Sequence, residues 1–273
     1  MEPWQAIVLG LVEGITEYLP VSSTGHLILT ERALGLVNDE ALRAFTICIQ
    51  GGAILAVLSL YAGRVRGMLR GLVGRDGDGL RLLVRLGVAF VPAAVVGLLF
   101  EDTIDAVLFG LWPVAIAWFV GGVAILAVPL LRRGRSEGTD IAAMTTTQAL
   151  VVGLFQCLAL APGTSRSLAT IAGALFVGLA SRAAVEFSLL LGVLTLGAAT
   201  AHKALSSGRV MFEHFGAINL SLGFLAGFVS AFLAVKWLVA WLNRRGLAVF
   251  GAYRVGLAVV VVILLWKGVL PAQ

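Results

Sequence analysis

Long apolar runs restrict the fold of this sequence more than any other feature, because about 18 or more apolar residues in a row are typical of a membrane-spanning helix. Charged residues make up 13% of the 273 residues and hydrophobic residues 59%, whereas soluble domains contain about 25% charged residues. A soluble globular fold is thereby excluded, and no period-two alternation indicates a β-barrel. We predict an all-α polytopic membrane protein. The six predicted transmembrane helices are Ala44–Ala62, Leu82–Phe100, Leu111–Leu131, Ala183–Ala201, Gly216–Leu242 and Leu247–Trp266.

Two further regions, Trp4–Leu36 and Thr147–Leu179, are apolar but interrupted. Each consists of a short apolar piece, a break that contains proline, serine and threonine, and a second short apolar piece. Neither piece is long enough to cross the hydrocarbon core. This pattern predicts two re-entrant helical hairpins, whose broken tips must be surrounded by protein or by a polar cavity.

The order along the chain is therefore hairpin, three spans, hairpin, three spans. The two hairpins also resemble each other: GL at 10–11 followed by PVSS at 20–23 parallels GL at 153–154 followed by PGTS at 162–165, with a slip of one residue. An odd number of spans per repeat turns the second copy upside down, which gives an inverted-topology repeat. We predict a single integral membrane domain, 1–273, with repeats at about 1–131 and 147–267.

The distribution of charge predicts the orientation, because Lys and Arg favour cytoplasmic loops. The arginines cluster between apolar runs, so the net charge of +5 does not indicate a nucleic-acid partner. With the arginine-rich loops in the cytoplasm, both termini and the first hairpin lie on the outer side, and the second hairpin enters from the cytoplasm. The arginines are Arg64, Arg66, Arg70, Arg75, Arg81, Arg132, Arg133, Arg135, Arg244 and Arg245; the expected outer loops hold Glu101, Asp102 and Asp105, and a mixed set of Lys203, Arg209 and Glu213.

The tip of the first hairpin holds acids, hydroxyls and an imidazole in apolar surroundings. Glu13 and Glu17 are four residues apart, so both carboxylates face the same way on a helix. Paired glutamates repel each other unless a cation or a shared proton lies between them, and hard divalent cations prefer oxygen ligands. We therefore predict that Glu13 and Glu17 hold a divalent cation, Mg²⁺ or Ca²⁺. The other polar residues of this tip are Ser22, Ser23, Thr24 and His26.

The tip of the second hairpin predicts an anion site. A proline followed by small hydroxyl residues leaves backbone N–H groups free at a helix N-terminus, and these groups together with the helix dipole attract phosphate. A guanidinium beside them can grip phosphate oxygens. Acids, metal, guanidinium, hydroxyl and imidazole together favour phosphoryl transfer. The polar residues of this tip are Gln156, Thr164, Ser165, Arg166, Ser167 and Thr170.

Several of these residues also suit a structural interpretation. The hydroxyls of Ser22, Ser167 and Thr170 fit the role of satisfying broken-helix backbone as well as that of binding a ligand. His26 could be a structural hydrogen-bonding residue. Arg254, in the middle of the last apolar run, suits a supporting role in the core.

With both tips considered, the chain resembles the bacterial undecaprenyl-diphosphate phosphatases of the bacitracin-resistance type over essentially its whole length. EGITEYLPVSSTGHLIL fits the first signature of that family, and PGTSRSLATIAG fits the second with one departure, Leu168 in place of the usual Gly. Leu194, where the family often has Pro, is a further departure.

The resemblance implies a multi-pass enzyme of the bacterial plasma membrane that hydrolyses undecaprenyl diphosphate to undecaprenyl phosphate and inorganic phosphate. It thereby recycles the lipid carrier of cell-wall synthesis, and its site opens toward the periplasmic face. The resemblance implies a divalent cation and assigns the family's acidic pair to Glu13 and Glu17. Among the other catalytic positions, the serine falls on Ser23, the histidine on His26 and the arginine on Arg166. Substrate-binding positions are expected at Ser22, Thr24, Thr164, Ser165, Ser167 and Thr170.

The mechanism and the function each leave an alternative open. Ser23 is the expected nucleophile with His26 as acid or base, and a metal-activated water is the rival. A polyprenyl-phosphate transporter or flippase could use the same anion site, since inverted repeats are common in carriers. The glycine pairs 51–52 and 121–122 permit close helix packing, either within one subunit or between the subunits of a homodimer.

Overall fold

The computed structural model describes residues 1–37, 39–108, 110–131 and 138–270. These residues are helical or irregular, and their only β contact is an isolated bridge between Thr139 and Leu179. Arg132, Arg133 and Arg135, which contribute to the predicted orientation, lie outside them. The α-helices of the described residues are α1 (Pro3–Glu17), α2 (Ser23–Ala33), α3 (Glu40–Leu60), α4 (Ala62–Leu72), α5 (Gly77–Leu108), α6 (Leu111–Leu131), α7 (Thr146–Cys157), α8 (Arg166–Phe176), α9 (Ser181–Arg245) and α10 (Ala248–Trp266).

The prediction of an all-helical, polytopic membrane protein is confirmed. Four helical stretches are long and apolar enough to cross a bilayer, and α9 is long enough to contain two of the predicted spans. Helix α6 covers the remaining predicted run, within which Leu111–Ala127 forms a shorter apolar helix. The four stretches are Glu40–Leu60, Gly77–Phe100, Ser181–Leu242 and Ala248–Trp266.

Helices α1, α2, α7 and α8 form two pairs of short helices, each pair joined by a break. They contain 15, 11, 12 and 11 residues, so at about 1.5 Å per residue none of them reaches the roughly 30 Å of a hydrocarbon core. The first break spans residues 18–22. The second begins with a 3₁₀ turn, Leu158–Leu160, and ends at Ser165.

Three stretches that the sequence analysis treated as loops are largely helical, and those predictions are wrong. Residues 63–81 contain α4 and the beginning of α5, and Glu101, Asp102 and Asp105 continue α5. Lys203, Arg209 and Glu213 lie within α9. Lys, Arg and Glu are good helix formers, which accounts for residues 203–213. Residues 101–105 contain two Asp and one Thr, which are weaker helix formers, and nonetheless extend α5.

Helix α9 bends at Gly216, whose φ of 69° and ψ of 168° interrupt the helical conformation. A positive φ is accessible to glycine without a steric penalty. The bend separates a first arm, 181–215, from a second arm, 217–245. Both arms contact α3: Thr200 on the first arm donates a hydrogen bond to the Ile47 carbonyl, and Gly223 on the second lies against Phe45 and Ile49.

The two pairs of short helices make matching contacts through glycines at corresponding positions. Gly10 on α1 approaches the second arm of α9 so closely that an added Cβ would lie 2.2 Å from the Gly223 carbonyl oxygen. Gly153 on α7 approaches α5 in the same way, with a Cβ position 2.5 Å from the Ala89 carbonyl oxygen. Helices α6 and α10 also pack together, and the pairs 51–52 and 121–122 make their close contacts within this subunit. Those glycine pairs therefore need no partner subunit.

Substituting Gly10 by alanine is expected to destabilise the fold by about 1–3 kcal/mol, because the added methyl group would overlap backbone that cannot move independently. Gly256→Ala on α10 is the control, since nothing lies within 4 Å of its Cβ position. Thermal unfolding of the two variants in detergent measures the difference. Equal melting temperatures would contradict the observed packing of α1 against α9.

Candidate active site

The two helix breaks end in the same unusual backbone conformation. Ser22 precedes α2 with φ 72° and Ser165 precedes α8 with φ 73°, and among the described residues only these two have a positive φ without being glycine. Such a conformation costs on the order of 1–3 kcal/mol and is often found at functional sites. Ser22 thus corresponds to Ser165, and the first residues of the following helices, Ser23 and Arg166, occupy equivalent positions.

Glu17, at the end of α1, contacts both of these residues. Its Oε2 accepts a 2.5 Å hydrogen bond from the Ser23 hydroxyl, and its Oε1 lies 3.1 Å from Nη2 of Arg166. The ion pair is almost completely buried, with 5% of the Glu17 and 10% of the Arg166 side chain exposed. The Glu17 carboxylate thereby links α1 to α8, although Glu17 and Arg166 are 149 positions apart in the sequence.

Arg166 is held on several sides by groups that fix its plane. Nη1 donates to the Ser188 carbonyl at 3.0 Å, and the guanidinium carbon lies 5.3 Å from the centre of the Tyr18 ring. A side chain at Gly192 would overlap the guanidinium, since a Cβ there would lie 2.4 Å from Nη1. Only Nε lacks a hydrogen-bond partner. Arg166 thus keeps one buried donor whose hydrogen-bonding capacity is unused.

The carbonyls of residues 19–22 lie in broken backbone, and each accepts a hydrogen bond from a side chain. Ser167 donates to the Leu19 carbonyl at 2.9 Å, Arg254 to that of Pro20 at 3.3 Å and Trp118 to that of Val21 at 2.9 Å. His26 Nδ1 lies 2.7 Å from the Ser22 carbonyl. Side-chain donors of this kind make a broken helix tolerable where its carbonyls cannot reach water.

Arg254 on α10 connects both tips. It is completely buried, and besides the Pro20 carbonyl it donates to the Gly163 carbonyl in the second break at 2.9 Å. Its other hydrogen bonds go to the carbonyls of Ala117 and Trp118 on α6. One feature of the sequence indicates this role, namely a cation in the middle of an apolar run.

A polar cavity of about 140 Å³ lies between the tips. The structure places six of the predicted site residues around it and adds Gln50 from α3, which the sequence analysis missed although it lies in an apolar run. Glu13, His26, Thr164, Ser167 and Thr170 are not in its lining. The predicted residues that line the cavity are Glu17, Ser22, Ser23, Thr24, Ser165 and Arg166.

Ser167 and Thr170 have structural partners. Besides donating to the Leu19 carbonyl, the Ser167 hydroxyl lies 2.9 Å from that of Ser165, and Thr170 donates to the Arg166 carbonyl at 2.8 Å. These contacts fit a structural role of the Ser167 and Thr170 hydroxyls better than a role in ligand binding. Thr164 forms a turn in which its N–H donates to the Ala161 carbonyl.

His26 contacts the edge of the site rather than the Ser23 hydroxyl. Its Nδ1 bonds the Ser22 carbonyl, which requires a proton on Nδ1, and its Nε2 lies 2.7 Å from the Tyr253 hydroxyl. The ring is stacked on Tyr253 and meets Trp118 edge-on. In this geometry the nearest proton acceptor of Ser23 is Glu17.

Glu13 is the most buried acid of the site. It is 0% exposed, and neither carboxylate oxygen has a hydrogen-bond partner. Glu17, Gln50 and Arg166 are its polar neighbours. An ionised carboxylate without partners is very unfavourable in a buried position, so the orphaned oxygens fit a cation. The described residues contain no cluster of three or more metal-ligating side chains, so phosphate oxygens or water would have to complete the coordination.

An apolar groove of about 560 Å³ adjoins the polar cavity. Its walls come from α5, α7 and the first arm of α9, and the groove and the cavity share Ala159, Arg166 and Leu196. Small residues on the two long helices, including Ala93 and Ala198, keep it open. Arg166 thus stands where a polar compartment meets an apolar one.

The family model of bacitracin resistance protein BacA matches residues 6–260. The chain belongs to this family. A relative from Sorangium cellulosum, named undecaprenyl-diphosphatase, is 46% identical over 261 residues that cover 94% of this chain and 85% of its own. Undecaprenyl-diphosphatase 1 from Chromobacterium violaceum is 44% identical over 97% of both chains. A relative from Acinetobacter baumannii, named undecaprenyl-diphosphatase, is 42% identical over 95% of this chain and 94% of its own.

The two departures from the BacA signatures lie outside the cavity. Leu168 is buried in an apolar cluster with Val21, Ile125, Leu238 and Phe250. Leu194 packs against the main core cluster. Neither side chain lines the polar cavity or the apolar groove. The family's site residues can therefore keep their arrangement in this chain.

Replacing Arg254 by methionine is expected to destabilise the protein by roughly 3 kcal/mol or more, because it leaves buried carbonyls in both breaks without a donor. Arg209→Met is the control, since Arg209 forms an exposed ion pair with Glu213 and such pairs contribute little. Unfolding of both variants in mixed micelles measures the effect. An Arg254→Met protein as stable as the control would show that the stability of the two breaks does not depend on the hydrogen bonds of Arg254.

Proposed function

We propose that this protein hydrolyses undecaprenyl diphosphate to undecaprenyl phosphate and inorganic phosphate, the activity after which its relatives are named. The observation that carries the proposal is the contact of Glu17 with both Ser23 and Arg166, which brings an acid, a hydroxyl and a guanidinium to one cavity. The adjoining apolar groove supports a lipid substrate. In this role the enzyme regenerates the lipid carrier for cell-wall synthesis.

The polar cavity and the apolar groove bind different parts of the substrate. The terminal phosphate occupies the polar cavity among Ser23, Thr24 and Ser165, and the polyprenyl chain leaves through the groove between α5 and α9. The positive end of the α8 dipole and the Arg166 guanidinium stabilise the negative charge that develops on the leaving oxygen.

Hydrolysis proceeds in two steps in which Ser23 and Glu17 act together. The Ser23 oxygen attacks the terminal phosphorus while its proton passes to Glu17, and the bond to the bridging oxygen breaks, releasing undecaprenyl phosphate. Water then attacks the phosphoserine, and inorganic phosphate leaves as Ser23 regains its proton. The 2.5 Å hydrogen bond supports Glu17 as the base. In the rival mechanism, Glu17 accepts the proton of a water that attacks the phosphorus directly.

A divalent cation, Mg²⁺ or Ca²⁺, belongs to this proposal. Glu13 and Glu17 would hold it, and it would supply positive charge against the diphosphate oxygens. The orphaned oxygens of buried Glu13 support this placement. A flippase would need the anion site but no hydroxyl hydrogen-bonded to a carboxylate, so we rank that function second.

We also propose the finer topology: six spans and two re-entrant hairpins in an inverted repeat, with the first hairpin and the opening of the site on the periplasmic side. The equivalent contacts of Gly10 and Gly153 and the matching conformations of Ser22 and Ser165 support the repeat. The arginines in and around α4 support a cytoplasmic position for that helix.

Glu17→Gln, Ser23→Ala and Arg166→Ala are each expected to reduce phosphate release from a detergent-solubilised polyprenyl diphosphate by at least about 100-fold, because each removes a group that acts on the transferred phosphate. Ser59→Ala, whose hydroxyl bonds only its own helix on an exposed face, should match the unsubstituted enzyme. Chelation of divalent cations should abolish the activity, and added Mg²⁺ or Ca²⁺ should restore it. Activity in all three folded variants would refute the site.

The role of His26 can be tested with two amides. Asparagine can reproduce the Nδ1–H bond to the Ser22 carbonyl, whereas glutamine places its amide near the position of Nε2. If His26 positions the break before Ser23, His26→Asn should keep activity within about tenfold of the original and His26→Gln should lose more. Equal, complete loss in both folded variants would instead indicate that the imidazole transfers a proton.

A further inference from the structure

Gln156 on α7 is a buried polar side chain that the proposed chemistry does not use. Only 3% of it is exposed, and neither its amide oxygen nor its amide nitrogen has a hydrogen-bond partner. It lines the apolar groove together with Arg166. Buried amides almost always find partners, so an unpaired amide at the wall of a groove indicates a ligand group that pairs with it.

The position of Gln156 in the second hairpin corresponds to that of Glu13 in the first. Each residue follows the contact glycine of its hairpin by three positions, Gly153 for Gln156 and Gly10 for Glu13. Both are buried, and both have two unpaired side-chain atoms. The two side chains have nearly the same shape but differ in charge. A carboxylate attracts a cation, whereas a neutral amide can donate two hydrogen bonds to an anion.

The groups around Gln156 favour an anion on its side of the site. Arg166 lines the same groove and keeps an unpaired Nε–H, so two of the residues lining this groove have buried donors without acceptors. The remaining wall is mostly apolar, with residues such as Phe90, Ala93 and Leu196, and its other polar members are Thr195 and His202. A groove of this composition favours an anion that carries an apolar chain.

We propose that Gln156 binds the lipid-bearing phosphate of the substrate, the phosphate that stays on the polyprenol after hydrolysis. This assignment rests on the proposed function. It also defines the orientation of the diphosphate. The terminal phosphate lies among Ser23 and Thr24, and the lipid phosphate lies at the mouth of the groove against Arg166 and Gln156. Gln156 thus recognises the substrate and the monophosphate product alike.

Gln156→Met tests the assignment, because methionine keeps the length of the side chain and removes its donors. We expect KM for a polyprenyl diphosphate and the inhibition constant of the polyprenyl monophosphate each to rise about tenfold, the effect of one hydrogen bond to a charged group. The value of kcat should stay within about threefold. Inhibition by inorganic phosphate, which needs only the polar cavity, should not change.

Gln148→Met is the matched control on the same helix. Its amide donates to the Val177 carbonyl and lines neither the cavity nor the groove, so all constants should stay within about twofold. Gln156→Glu provides a second variant of native shape, and its negative charge should weaken monophosphate binding by about 100-fold.

An unchanged inhibition constant for the monophosphate in Gln156→Met or Gln156→Glu would overturn the proposal. So would an equal loss of affinity for inorganic phosphate, which would place Gln156 at the terminal phosphate. Direct binding of the monophosphate to the purified protein needs no turnover. Should the unsubstituted protein bind the monophosphate but fail to hydrolyse the diphosphate, the proposed function would fail while the role of Gln156 would still be decided by the binding of its variants.

Discussion

A buried ion pair between Glu17 and Arg166 joins two helices that end and begin inside the protein, and the rest of the site depends on it. Glu17 ends α1 and Arg166 begins α8, so the pair fixes the distance between the two breaks. The same carboxylate accepts the Ser23 hydroxyl. Bringing two charges out of water is unfavourable unless further hydrogen bonds satisfy them, and the Ser23 hydroxyl and the Ser188 carbonyl supply these.

The breaks themselves are unfavourable, and the surrounding helices compensate for them. Side chains from α2, α6, α8 and α10 satisfy the four carbonyls of residues 19–22, and Arg254 satisfies one carbonyl in each break. Glycine at position 121 makes room for the Arg254 guanidinium. Because these donors come from helices far apart in sequence, the site can form only after both halves of the chain have packed together.

Local patterns in the sequence predicted the elements that depend on local physics. Apolar run length predicted the helices that are long and apolar enough to cross a membrane. The interrupted regions around Pro20 and Pro162 predicted two pairs of short helices, whose breaks bring Glu17, Ser23 and Arg166 together. Contacts that depend on the assembled fold could not be predicted in this way. Predicting the place of Gln50 and the hydrogen bonds of Arg254 to both breaks required knowledge of which helices meet. Predicting the helical state of residues 203–213 required helix propensity to be weighed against charge.

A double-mutant cycle on Glu17 and Arg166 tests the central claim most directly. The free energies of unfolding of the unsubstituted protein, Glu17→Gln, Arg166→Met and the double variant give the coupling between the two side chains. A direct buried ion pair between the hairpins predicts a coupling of at least about 1 kcal/mol, with the double variant less destabilised than the sum of the single ones. Additive effects, with a coupling near zero, would show that the two side chains do not meet.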